Sequence, residues 1–234
     1  MIGWSSPKKI LIILAHPDDP EFFCGASIYK WTQTGNRVDY LLMSKGEKGI
    51  NDNFDDVPNI IKIREREQRN AADVLGVSDI TYLDYQDGMM VPDIEARKKI
   101  VEKVRKHKPD ILVTCDPTNY YVNDHYINHP DHRAAGQIVL DAIFPAVQNK
   151  LYFPSLLEKG LEPHKLEEVW ITLSKSPNTS LDVTEEWGTK IKALECHTSQ
   201  VGDIMKFRQR MVGKGIEENG EIHYKEQFYR IIFR

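Results

Sequence analysis

The stretch Ile10-Leu11-Ile12-Ile13-Leu14-Ala15-His16-Pro17-Asp18-Asp19 decides the fold: five apolar residues run straight into a polar, proline-containing turn. A continuous apolar run of that length is the pattern of a strand covered on both faces in a parallel sheet. Outward from it, the spacing predicts a helix from Phe22 to Thr34 stopped by Gly35, then a second strand from Val38 to Met43, which together make one βαβ unit. Ser44 to Pro58 is polar and rich in Gly, Asn and Asp, and so reads as a loop. Asn59 to Leu75 is an amphipathic helix closed by Gly76, and Ile80 to Leu83 a third strand.

The alternation continues. Ile94 to Lys106 is helical, Ile111 to Thr114 is a buried strand, Asp116 to Asn128 is an irregular loop, and His129-Pro130 opens a helix running to Phe144. Val169 to Leu173 is a fifth strand; helices over 184–197 and 203–212 and an alternating strand from Gln227 to Phe233 complete the chain. Such a pattern predicts an α/β, Rossmann-like, doubly wound and mostly parallel sheet, with residues 1–234 forming a single domain. Residues 145–167, rich in Pro, Leu and Lys, receive no element and stand as a specificity or assembly segment.

Composition narrows the function. With 31 Lys+Arg against 35 Asp+Glu, the net charge of −4 gives no electrostatic reason to expect nucleic acid or an anionic membrane as a partner. No apolar run reaches the roughly 18 residues that span a bilayer. Cys24, Cys115 and Cys196 are odd in number and lack CxxC spacing, which together with the absence of a signal-peptide pattern predicts reduced thiols and a cytoplasmic location. Neither GxGxxG nor GxxxxGK[ST] occurs, so nucleotide binding has no phosphate cradle behind it.

Ligands of open α/β sheets bind beyond the carboxyl ends of the strands. Two histidine pairs with the same spacing fall there: His16 with Asp19 after the first strand, and His129 with His132 where a helix begins after the fourth. A catalytic zinc takes about three nitrogen or oxygen ligands and keeps one position open, a quota that His16, Asp19 and His132 fill. Asp18, beside a ligand but pointing elsewhere, suits the base that takes a proton from the attacking water. His129 would stabilise the oxyanion and, as an imidazolium, protonate the leaving amine, with the Asp131 carboxylate holding its ring. Either string alone would also serve as a turn whose Asp caps a helix; the pair at converging strand ends points to a Zn2+ hydrolase.

These residues also carry a resemblance. Ala15-His16-Pro17-Asp18-Asp19-Pro20-Glu21 and His129-Pro130-Asp131-His132 match the AHPDD-x-E and HPDH signatures of the LmbE-like, PIG-L-type N-acetylglucosaminyl deacetylases. Gly46-Glu47 with Gly49, Arg64 and Glu67, Asp87-Gly88, and Lys192-Ala193-Leu194 leading to His197-x-Ser199-Gln200 extend the likeness over about residues 9–200. The resemblance implies the same zinc ligands, Asp18 as general base and His129 supported by Asp131. It further implies Arg64 and Asp87 beside the substrate, His197 as a packing residue, a homo-oligomer, and a small acetylated sugar as substrate. Gly25-Ala26 and Ile127 depart from the family pattern: a tyrosine found two residues before the second signature in some members is missing here. The alternatives are a zinc amidohydrolase for a non-sugar amide and a catalytically retired metal-binding protein.

Overall fold

In a computed structural model, which describes residues 4–49 and 56–233, the chain starts with β1 (Lys9–Leu14), α1 (Asp19–Gln33), β2 (Arg37–Ser44), α2 (Val57–Leu75), β3 (Asp79–Tyr85), α3 (Ile94–His107) and β4 (Ile111–Cys115). A short hairpin, β5 (Tyr121–Asn123) and β6 (Tyr126–Ile127), precedes α4 (Pro130–Asp141). Then come α5 (Ser155–Glu158), β7 (Glu168–Thr172), β8 (Thr179–Asp182), α6 (Trp187–Glu195), α7 (Thr198–Val201) and α8 (Ile204–Val212). A second hairpin, β9 (Ile216–Glu218) and β10 (Glu221–His223), leads into β11 (Lys225–Ile232). The main sheet has the order β3-β2-β1-β4-β7-β11-β8. Its first five strands are parallel and β11 runs antiparallel between β7 and β8, so the expected α/β, mostly parallel sheet is present.

The apolar run of β1 is explained by its place at the centre of this sheet. Ile10, Ile12 and Leu14 point to one face, where Cys24, Ile28 and Trp31 of α1 and Ala71 and Leu75 of α2 pack. Leu11, Ile13 and Ala15 point to the other, against Ile100 of α3 and Ala134 and Ile138 of α4. With side chains alternating along a strand, only a wholly apolar sequence can fill both cores. The helices after β1 and β4 thus leave on opposite faces, and the strand order reverses between these two neighbours; their carboxyl ends open a crevice there.

Several boundaries differ from the sequence reading. α2 starts at Val57, where Asp56 accepts from the Asn59 N–H at 3.2 Å and a proline suits the first turn, and α4 ends at Asp141. Beyond it a π-type turn covers Ala142–Val147, with Phe144 extended (φ −126°, ψ 124°) because Pro145 cannot continue a helical ladder. Of the expected loop 44–58, residues 50–55 lie outside those described. The segment 145–167 is anchored by the buried Arg105, whose Nη2 donates to the carbonyls of Ala146 and Asn149 at 2.9 Å each, and Leu156 and Leu166 enter the core.

The junction of β7 and β11 is held by one buried carboxylate. Glu168 accepts from Trp4 Nε1 at 3.0 Å and Trp170 Nε1 at 2.7 Å, and from Arg230 Nε and Nη2 at 2.8 and 2.6 Å. Burial alone would push this carboxyl up, but Arg230 and the two indoles outweigh it and hold the pKa below the usual glutamate value. A carboxyl whose pKa falls on folding adds stability above its unfolded pKa and loses it as the pH drops through the folded one. Glu168→Gln should therefore cost about 1–3 kcal/mol at pH 7. In urea denaturation the gap to the unsubstituted protein should close below about pH 4; an equal gap at pH 3 and pH 7 would exclude this account.

Candidate active site

The turn after β1 is shaped by backbone geometry before any chemistry. Asp18 adopts a left-handed conformation (φ 83°, ψ −28°) at the start of α1, a cost of about 1–3 kcal/mol for a non-glycine residue that the surroundings must offset. Its N–H is taken by Gln68 Oε1 at 2.8 Å. Gln68 in turn donates to both oxygens of the buried Glu21 at 3.1 Å, and the same carboxylate meets Tyr40 Oη at 3.0 Å and His197 Nε2 at 3.2 Å. Thus the glutamate of the AHPDD-x-E signature anchors the turn from beneath, and His197, fully buried, is the packing residue expected.

With the turn so held, Asp19 reaches back and accepts from the His16 N–H at 2.8 Å. Its Oδ2 lies 3.5 Å from His16 Nδ1 and its Oδ1 3.0 Å from His132 Nε2. The outer nitrogens of both rings face acceptors. His16 Nε2 is 3.2 Å from Asp87 Oδ1 and 3.2 Å from Asp131 Oδ2. His132 Nδ1 is 2.9 Å from Asn128 Oδ1, an amide oriented by its own donation to the Asn119 carbonyl at 2.7 Å. Acceptors on the outside place each proton on the outer nitrogen, which leaves two imidazole lone pairs aimed at one carboxylate. Between these inner nitrogens and the Asp19 carboxylate there is a place for a proton or a metal ion. Burial opposes a charge on His16, yet Asp131, Asp19 and Asp87 together drive its pKa well up, so this carboxylate cluster favours a positive charge, whether a proton on the ring or a metal ion beside it. The donor set of two nitrogens and a carboxylate oxygen suits zinc.

His129 borders this centre, its ring centroid 4.6 Å from that of His16 and 5.3 Å from that of His132. Its Nδ1 accepts from the Asp131 N–H at 3.2 Å, so the neutral ring carries its proton on Nε2. Burial and the neighbouring His16 and His132 also pull its pKa down. Both features favour a neutral ring that donates from Nε2, where the sequence reading has an imidazolium. The Asp131 carboxylate corrects a second expectation. Rather than the His129 ring it meets His16, and the N–H groups of Gly88 and Met90 donate to it at 2.7 and 3.2 Å.

Arg64 and Asp87 also take up positions other than free sugar contacts. Arg64, only 2% exposed, donates from Nη2 to the Pro17 carbonyl at 2.7 Å and lies 3.4 Å from Asp18 Oδ2. A Cβ on Gly49 would sit 2.4 Å from its Nη1, so a larger residue there would push the guanidinium aside. Asp87 is divided between His16 and the Lys48 N–H, which it accepts at 3.1 Å. Burial pushes the Asp18 carboxyl up to about 6, with Arg64 pulling against it. The sequence reading missed Asn128, Gln68 and Glu21 as supports; Glu21 was visible as the last residue of its signature, whereas Asn128 and Gln68 carry no spacing that marks them.

Asp18, His129, Arg64 and Asp87 line one cavity of about 940 Å³, together with Val122 and Tyr126 of the β5–β6 hairpin. Such a volume lies at the upper end of small-molecule sites. Another close packing frames its floor: a Cβ on Gly136 of α4 would lie 2.3 Å from the Cys115 carbonyl, so glycine lets the helix bearing His132 approach the end of β4.

Comparison with known proteins places this geometry. The chain is 34% identical over 194 residues to the diacetylchitobiose deacetylase of Thermococcus kodakarensis, covering 82% of this chain and 70% of that one. It is 26% identical over 232 residues to a probable N-acetyl-alpha-D-glucosaminyl L-malate deacetylase 2 of Bacillus anthracis, covering 97% and 96% of the two chains. The structure of the N,N'-diacetylchitobiose deacetylase from Pyrococcus horikoshii superposes with a TM-score of 0.86 at 29% identity, over 96% of this chain and 84% of the other. The profile of the PIG-L family, described as GlcNAc-PI de-N-acetylase, matches residues 11–143, which hold both signatures and every residue placed above around His16 and His132. The chain belongs to the PIG-L, or LmbE-like, family of metal-dependent N-deacetylases.

Proposed function

We propose that this protein hydrolyses the acetamide of an N-acetylglucosamine-type sugar or conjugate with zinc held by His16, Asp19 and His132. The observation that carries this reading is the pair of imidazole lone pairs converging on Asp19, with Asp18 and His129 beside them on the same cavity. The relatives that act on diacetylchitobiose and on a glucosaminyl malate support the acetylated sugar as substrate class. When bound, zinc supplies Lewis acidity toward a carbonyl and lowers the pKa of water to about 7.

The chain's own groups do the rest. Asp18 takes a proton from the attacking water as its oxygen bonds to the acetyl carbon. His129 donates its Nε2–H to the oxygen that becomes an oxyanion. As the C–N bond breaks, the proton held by Asp18 passes to the amine nitrogen, and acetic acid and the amine leave, ionising to acetate and ammonium in water. Arg64 acts as a positioning residue, fixing the Pro17 carbonyl and keeping the Asp18 carboxylate available against its burial. Asp87 and Asp131 hold His16 in the tautomer whose Nδ1 is free to ligate.

The first test is release of primary amine from N-acetylglucosamine, diacetylchitobiose and glucosaminyl conjugates, with chelated protein before and after stoichiometric zinc. Release that returns with zinc is expected; no release from any compound by metal-loaded protein would refute the sugar reading. Asp18→Asn should keep its metal and lose about 10²- to 10⁴-fold in kcat, whereas His132→Ala should lose the metal by elemental analysis. Equal metal loss in both would undo the division of roles. Asn128→Ala, which removes only the acceptor behind His132, should weaken metal affinity by about 10- to 100-fold, read by competition with a chromogenic chelator.

A further inference from the structure

Arg133 takes no part in the chemistry above, yet it lies against the residue that supports His132. It is the fourth residue of α4, near the amino terminus, where the helix dipole disfavours a cation. No carboxylate pairs with it among the described residues; its Nη1 instead donates to the Asn128 carbonyl at 2.6 Å, and its guanidinium lies over the Tyr120 ring, 4.3 Å from the centroid. The negative face of an aromatic ring attracts a cation, so the two contacts together offset the unfavourable end of the helix.

Asn128 is 1% exposed, and every polar group it carries is engaged. Its N–H donates to the Tyr120 carbonyl at 2.9 Å and its Nδ2 to the Asn119 carbonyl at 2.7 Å; its Oδ1 meets His132 Nδ1 at 2.9 Å, and its own carbonyl takes Arg133. A carbonyl can only accept, so the Asn119 contact decides which way the amide faces and leaves Oδ1 for the imidazole. Asn119 is tied down in turn, donating from Nδ2 to the Leu173 carbonyl at 2.6 Å just beyond β7.

Arg133 and His132 are neighbours on one helix, so α4 grips Asn128 at two points, the backbone carbonyl and the side-chain oxygen. With both held, the separation of amide and imidazole is set by the helix itself. The contacts from Asn119 and Tyr120 instead tie Asn128 across the base of the β5–β6 hairpin, whose Tyr121, Tyr126 and Ile127 are exposed. Without the guanidinium a buried carbonyl loses its donor, and Tyr120 loses the cation packed on it. Asn128 would then move with the hairpin rather than with α4.

We propose that Arg133 is a positioning residue for His132: it locks Asn128 to α4, so that the Asn128 amide holds the imidazole with Nε2 turned toward Asp19 and the metal position. Arg133 does not line the cavity, and it acts on the reaction only through Asn128. The inference deepens the zinc reading and rests on it for the ion that Nε2 meets.

A double-mutant cycle on metal affinity, read by competition between the protein and a chromogenic chelator for zinc, tests it. Arg133→Ala should weaken affinity by about threefold to tenfold, a smaller step than Asn128→Ala because it stands one contact further from the ligand. The double variant Arg133→Ala/Asn128→Ala should bind zinc as Asn128→Ala alone does, since Arg133 has nothing left to act through. Arg133→Lys, which keeps a donor for the Asn128 carbonyl, should bind more tightly than Arg133→Ala. Loaded with Co2+, Arg133→Ala should show visible bands displaced from those of the unsubstituted protein, a signature of altered ligand geometry that a general loss of stability would not give. Losses that multiply in the double variant, or an Arg133→Ala protein with unchanged affinity and Co2+ spectrum, overturn the proposal. Hydrogen exchange of the Asn128 amide in the metal-free proteins reads the clasp without metal. Unchanged exchange in Arg133→Ala overturns it, while faster exchange in a protein that binds no metal in any form overturns only the zinc reading.

Discussion

Two imidazole rings and a carboxylate converge within a few ångströms, an arrangement that a proton or a metal ion must bridge, and the rest of the site is arranged around that constraint. The lone pairs point inward because acceptors occupy the outer nitrogens: Asp87 and Asp131 on His16, Asn128 on His132. Each acceptor is itself fixed, Asp131 by two backbone N–H groups and Asn128 by a backbone carbonyl. In the absence of such supports the rings could turn or exchange tautomers, and the ligand geometry would be lost.

The sheet makes this convergence inexpensive. Because β1 and β4 are neighbours whose following helices depart on opposite faces, the turn bearing His16 and Asp19 and the loop bearing His129 and His132 meet without a long detour of chain. The strained backbone of Asp18 is the exception, and it is carried by the Gln68 and Glu21 network beneath. The left-handed backbone of Asp18 turns its carboxylate away from that of Asp19, so the adjacent aspartates face different partners.

Much of this was legible in the amino-acid sequence. The apolar run of β1, the alternation of strands and helices, and the two signatures at strand ends placed His16, Asp18, Asp19, His129 and His132 together, and they do lie together. The partnership of Asp131 was misread, because a contact to the nearest histidine in sequence is the default guess, while the helix turn carries that carboxylate toward His16 and the Gly88 and Met90 amides. Arg64 and Asp87 were placed near the substrate but not against Pro17 and His16. The β9–β10 hairpin was missed, although it turns on Asn219-Gly220, both with positive φ, a dipeptide that favours a tight turn. β8 had no such mark, being four half-exposed residues that become a strand only because β11 pairs with them.

What the sequence determined by itself, then, was the kind of fold and the candidate reactive groups, since periodicity and local turn chemistry are properties of neighbours along the chain. Tertiary structure alone decided which acceptors meet the outer nitrogens of His16 and His132, the hydrogen bond that His129 Nδ1 accepts, and the support of Asp18 by α2. Each of these depends on which acceptor, donor or charge from a distant segment arrives within a few ångströms, and hydrogen bonding and electrostatics in a buried site are set by that approach rather than by spacing in sequence.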